Sequence, residues 1–177
     1  VTRTFTATDD AGNFSTAVQV VTVEDTTAPV LTIPADYTVE CSDEIVLDEA
    51  SATDNCGEIV IDLVEMINPG NASGNYTIVR TFTATDDADN ATTLTQTITV
   101  QDTTSPDFLT VPADITIECS AADLEAVLSE NATAGDLCGP VVVEYVNEYS
   151  LTDALGNYTV TRTFTATDDA GNFSTAV

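Results

Sequence analysis

Short runs of alternating apolar and polar residues, turn-forming clusters between them and a repeat of about 80 residues predict an all-β fold: tandem immunoglobulin-like β-sandwich modules of about seven strands, strung as beads. The repeat sets the phase. Residues 1–18, VTRTFTATDDAGNFSTAV, recur letter for letter at 160–177, and a looser copy, VRTFTATDDADN, lies at 79–90. Arg3 and Arg80 are 77 residues apart, and Arg80 and Arg162 are 82 apart. The same phase carries DTTAP at 25–29 onto DTTSP at 102–106, and IPADYTVECS at 33–42 onto VPADITIECS at 111–120.

Three segments follow from that phase. Residues 1–25 read as the tail of one module, 26–102 as a complete module, and 103–177 as a module short of its last strand residues. Twenty-five residues are too few to bury a core by themselves. The chain opens in mid-pattern, so a secretion signal and any anchor are expected outside it.

Within 26–102 the expected strands run near Val30–Ile33, Tyr37–Cys41, Ile45–Leu47, Ile59–Val64, Tyr76–Thr85 and Thr93–Val100. In the fifth, Tyr76, Ile78, Phe82 and Ala84 share one face, and Thr77, Thr81, Thr83 and Thr85 the other. In the sixth, Leu94, Ile98 and Val100 alternate with outward threonines. Threonine suits that role: its branched Cβ favours extended backbone and its hydroxyl stays wet. Pro29 and Pro34 sit beside strand starts, where a missing N–H does little harm. Ala121–Ser129 is the one helical candidate, expected to form a single short turn.

The four cysteines are even in number and recur at matching places, which favours disulfides and an oxidising, extracytoplasmic setting. Cys41 and Cys56 are 15 residues apart and Cys119 and Cys138 are 19 apart, and the expected pairing is within each module. Closing such a loop stabilises by on the order of 3 kcal/mol. Zinc is a poor alternative without C-x2-C spacing or histidine. A catalytic thiol lacks the histidine it would need.

Thirty acidic residues face three arginines, with no lysine or histidine. Such a chain repels nucleic acid and anionic membrane surfaces and attracts divalent cations or basic partners. Solubility and mutual repulsion explain the same acidity without any bound ion. No stretch approaches the length of a membrane span.

The arginines Arg3, Arg80 and Arg162 each share strand parity with inward Phe and Ala residues. A buried arginine needs a carboxylate, so a structural ion pair is expected, with Glu40 or Asp54 for Arg80 and Glu118 or Asp136 for Arg162. Recognition of a glycan or phosphate is the functional alternative.

Acidic loops follow the long strands. Thr-Asp-Asp-Ala-Gly-Asn at 8–13 and 167–172 matches Thr-Asp-Asp-Ala-Asp-Asn at 85–90, and the loop holding Asp54 matches that holding Asp136. In a sandwich these loops share one end with the linker residues Asp25 or Asp102. Calcium at the module junctions is therefore a candidate cofactor, with Asp25, Asp54, Asp86, Asp87, Asn90, Asp102, Asp136, Asp168, Asp169 and Asn172 as candidate ligands. Plain turn chemistry explains the same residues without a metal. No organic cofactor is expected.

The combination of Asp-Thr-Thr-Ala-Pro, Pro-Ala-Asp-Tyr-Thr-Val-Glu-Cys, Ala-Thr-Asp-Asn-Cys-Gly and Phe-Thr-Ala-Thr-Asp-Asp-Ala-Gly-Asn resembles hyalin-type, or HYR-like, repeats. It is most similar to the versions found in giant surface adhesins of gliding bacteria that use type IX secretion. The resemblance implies export to the cell surface, a long filament of modules and adhesion to a surface or polysaccharide. It also implies O-glycosylation at Asp-Thr-Thr, with Thr26 and Thr103 as acceptors. Metazoan hyalin repeats carry a tryptophan and differently placed cysteines, and this chain departs from them in both.

The sequence holds no paired-carboxylate cleft, no Ser/His/Asp set and no glycine-rich phosphate loop, so an enzyme is not expected. A mechanical spacer in an adhesin filament, whose partners are neighbouring modules of the same chain, accounts for the repeats, acidity and cysteines together. A self-associating extracellular fibre and an accessory spacer of a secreted hydrolase are the alternatives.

Overall fold

A computed structural model describes residues 1–118 and 121–177, and the fold is all-β with one short helix, consistent with immunoglobulin-like sandwiches. The strands are β1 (Thr2–Thr8), β2 (Phe14–Val20), β3 (Val30–Thr32), β4 (Tyr37–Glu40), β5 (Ser51–Thr53), β6 (Ile59–Pro69), β7 (Tyr76–Asp86) and β8 (Ala91–Gln101). They continue with β9 (Asp107–Thr110), α1 (Ala121–Leu128), β10 (Thr133–Gly135), β11 (Val141–Tyr149), β12 (Val160–Asp168) and β13 (Phe173–Ala176).

Two compact units divide the chain. One comprises Val1–Ile33, Ala50–Leu63 and Phe82–Leu94. In it, β1 and β2 form an antiparallel hairpin from Thr2↔Val20 to Thr8↔Phe14 whose side chains are all exposed. Strands β3 and β5 pair antiparallel. The core is Leu31, Phe82 and Ala84, backed by Ile33, Ala50, Ala52, Ile59 and Ile61.

The second unit comprises Pro34–Glu49, Val64–Thr81 and Thr95–Val177. Its buried apolar residues include Ile98, Val100, Pro106, Ala132, Phe164 and Ala166. Strand β9 pairs antiparallel with β10, and β11, β12 and β13 form an antiparallel sheet. Strand β4 runs parallel to the end of β8, with Tyr37↔Ile98 and Glu40↔Gln101, in a four-stranded sheet of order β4-β8-β7-β6.

The alternation on β7 holds, with Arg80, Phe82, Ala84 and Asp86 buried in turn. On β8 the inward set differs from the expected one. Leu94 is exposed and Gln96 is buried, because the Gln96 amide has partners inside: it donates to Ala35 O and accepts from Arg80. The strand expected at Ile45–Leu47 is absent. That backbone is instead tied singly, Val46 O accepting the Tyr37 hydroxyl and Asp48 O accepting Arg80. The helix reaches eight residues rather than one turn, and Ser129 closes it by bonding Glu125 O and Ala126 O.

Candidate functional site

The linker between β8 and β9 is tied by hydrogen bonds to Glu40 and Asn75. Glu40, the last residue of β4, accepts bonds from Thr103 N, Thr103 Oγ1 and Thr104 Oγ1 at 2.6, 2.9 and 3.1 Å. These donors hold its carboxyl below the ordinary value of 4.5, the Thr103 amide most of all. Asp102 N donates to Asn75 Oδ1 at 2.7 Å. Asp169, in the turn after β12, accepts from both Ser73 N and Ser73 Oγ, which lowers its carboxyl as well.

A disulfide crosses the same linker. Cys41 bonds to Cys138, with Cα atoms 5.8 Å apart and a sequence separation of 97. The expected Cys41–Cys56 pairing is thereby corrected: Cys56 is exposed and unbonded. The parallel register is the reason. It delivers Cys41 to the C-terminal end of β8, where Cys41 N bonds Gln101 O, and the next copy of the repeat brings its own cysteine loop to that point. Cys119, the other half of the second expected pair, lies outside the described residues. Gly74 packs so tightly here that a Cβ would come within 2.9 Å of Cys138 Cβ and 2.8 Å of Asp102 Cβ.

Two groups of three carboxylates gather where the sequence places acidic loops. Asp25, Asp54 and Asp86 each offer an oxygen within 4.8 Å of the others, and so do Asp102, Asp136 and Asp168. These are the same three repeat positions. Asp86 and Asp168 also shape their turns, each accepting the amide and the side-chain Nδ2 of the asparagine four residues on. Asn90 and Asn172 hand on the contact by donating to Asp25 O and Asp102 O. The remaining two candidate ligands make other bonds: Asp87 accepts Glu58 N, and Asp169 holds Ser73.

Asp102 differs from the rest. It is 5% exposed, and its Oδ2 is buried without a hydrogen-bond partner. Burial, followed by the nearby carboxylates of Asp136, Asp168 and Glu40, raises its carboxyl above the ordinary 3.8.

The arginines take partners other than the carboxylates expected. Arg80, 4% exposed, pairs with Glu65 at 2.9 Å and donates to Asp48 O and Gln96 Oε1. Glu65 wins over Glu40 and Asp54 because β6 lies beside β7 and presents it there; Glu40 is spent on the linker and Asp54 on the acidic group. At Arg162 the same place on β11 holds Asn147, bonded at 3.2 Å, and no ion pair with Glu118 or Asp136 forms among the described residues. Arg162 instead stacks on Tyr145 and Phe164, at 4.5 and 4.8 Å, and leaves Nη2 buried without a partner. Arg3 lies over the Phe5 ring at 5.1 Å.

Thr26 and Thr103 are both exposed, though the Thr103 hydroxyl is already donated to Glu40. Sequence reasoning missed Asp153. Its turn repeats the Asp-x-x-Gly-Asn spacing of 9–13, with Asp153 accepting Leu155 N, Asn157 N and Asn157 Nδ2, and that spacing is the signal that would have found it.

No curated protein matches the chain. Residues 29–100 match the family model of the HYR-like domain with 4 cysteines, and within that span lie Cys41, whose bond leaves it for Cys138, and Cys56. HYR-like domains are extracellular adhesion-type modules, and no helix among the described residues is long and apolar enough to cross a membrane. A HYR-like domain therefore occupies residues 29–100 of this chain.

Proposed function

We propose that this chain is a stalk segment of an exported cell-surface adhesin, a mechanical spacer whose successive repeats are bolted together covalently. The observation that carries the reading is the Cys41–Cys138 bond, which joins one copy of the sequence repeat to the next. A catalytic scaffold gains nothing from such a bolt, whereas a load-bearing one keeps its junctions aligned under tension. The linker supports this as well, since Glu40 accepts from Thr103 and Thr104 and Asn75 accepts from Asp102 N.

In this reading the chain performs no reaction of its own and its partners are its own neighbouring repeats. Cys56 stands in its repeat where Cys138 stands in the next, so it takes the Glu-Cys-Ser cysteine of another copy as its partner. The parent protein is an adhesin of the gliding type, with SprB as the example the repeats resemble.

Immunogold labelling of intact cells with an antibody to this chain tests the reading. Surface filaments should carry label at regular intervals, and in-frame removal of 26–102 should shorten them without abolishing attachment. Label confined to the cell interior, or attachment lost while filament length stays the same, would refute it.

A further inference from the structure

We propose that Asp102, Asp136 and Asp168 bind a divalent cation, calcium by its chemistry, and that Asp25, Asp54 and Asp86 bind a second one at the equivalent place in the preceding copy.

Proximity is the first support. Three carboxylates with oxygens within 4.8 Å of one another repel unless a positive charge lies among them; the chain has no lysine or histidine, and its three arginines are engaged with Phe5, Glu65 and Tyr145. The second support is independent of clustering. Asp102 is 5% exposed and its Oδ2 meets neither a donor nor solvent, while its Oδ1 accepts Thr104 N. A desolvated carboxylate oxygen with no donor is costly, and a metal ligand bond is one of the few ways to satisfy it. Its neighbours keep coordinating capacity: Asp136 uses Oδ1 for Cys138 N, and the Asp168 oxygens each accept bonds while retaining lone pairs.

Recurrence is the third support. One position comes from the linker, one from the loop before a cysteine and one from the end of the long strand, in both copies. A carboxylate set without imidazole selects a hard cation: beside Asp102, Cys41 and Cys138 are consumed in their disulfide, and Cys56, though free, is not among the groups clustered with Asp25, Asp54 and Asp86. Calcium tolerates an irregular shell of about six to eight oxygens completed by water, whereas magnesium demands a near-ideal octahedron. The affinity expected is that of extracellular modules, roughly 0.1–1 mM.

Calorimetric titration of the oxidised chain with calcium chloride tests this. Two ions should bind per chain, with magnesium much weaker. Asp136→Asn should remove one and Asp54→Asn the other, since an amide keeps the turn hydrogen bond but not the charge. In chelator, both variants should melt at or above the parent, because a repelling charge has gone; in calcium, both should melt below it. Absence of calcium-dependent heat and of any shift in melting temperature would overturn the proposal. So would a two-ion stoichiometry retained by Asp136→Asn, or a melting temperature in chelator below that of the parent.

Discussion

Cys41 and Cys138 are joined by a disulfide although they lie 97 positions apart, while Cys56, only 15 positions from Cys41, stays unbonded. Non-reducing digestion should therefore yield a linked peptide pair holding Cys41 and Cys138, with Cys56 open to alkylation. A Cys41–Cys56 pair would refute the assignment. Removing the bond by Cys138→Ser should cost on the order of 4–5 kcal/mol, because the loop it closes is so long. In a polypeptide with a further repeat before this one, Cys56 should appear linked to that repeat's Glu-Cys-Ser cysteine.

The Arg80–Glu65 pair invites comparison with Arg162–Asn147, since the four residues occupy the same two places in the repeat. Glu65→Leu should destabilise by about 2–3 kcal/mol, discounted from the full cost of a stranded buried charge because Glu65 is itself 43% exposed. Asn147→Glu should have the opposite sign, giving Arg162 the acid it lacks. Urea unfolding of both variants checks the pair of signs.

Asp89 adopts a left-handed backbone, φ 67°, at the place where the two other copies of this turn carry Gly12 and Gly171. A side chain there is strained where glycine is not, so Asp89→Gly should stabilise, by up to about 1 kcal/mol. A fall in melting temperature would show that the Asp89 side chain contributes more than it strains.

Asp153 is held below its ordinary 3.8, first by the Asn157 amide, then by the Asn157 side chain and Leu155 N. A lowered carboxyl stabilises the turn while it is ionised. That contribution is fully present above about pH 4 and fades as pH falls through the depressed value. Amide exchange at Leu155 and Asn157 should accordingly lose protection on acidification, and Asp153→Asn should flatten the effect.

Strand alternation and repeat phase made the all-β fold legible, because both depend on local periodicity. Phe82, Ala84, Ile98 and Val100 are buried as the pattern requires. The two acidic groups were readable for the same reason: their members lie at fixed places in the repeat. What stayed hidden depends on pairing across distance. The partner of Cys41 is chosen by the parallel register of β4 on β8, and that of Arg80 by the placing of β6 beside β7. Leu94 and Gln96 exchanged roles because a polar side chain with two internal partners can be buried at little cost, which hydropathy alone does not weigh.

The bond between Cys41 and Cys138 also governs how far this chain could lengthen. The 97 residues it spans would stretch to about 330 Å if pulled out straight, and with the cystine intact that slack is withheld from the tether. Only after that covalent link is reduced could unfolding under tension release the slack, so the length to which a pulled chain extends depends on the redox state of its surroundings.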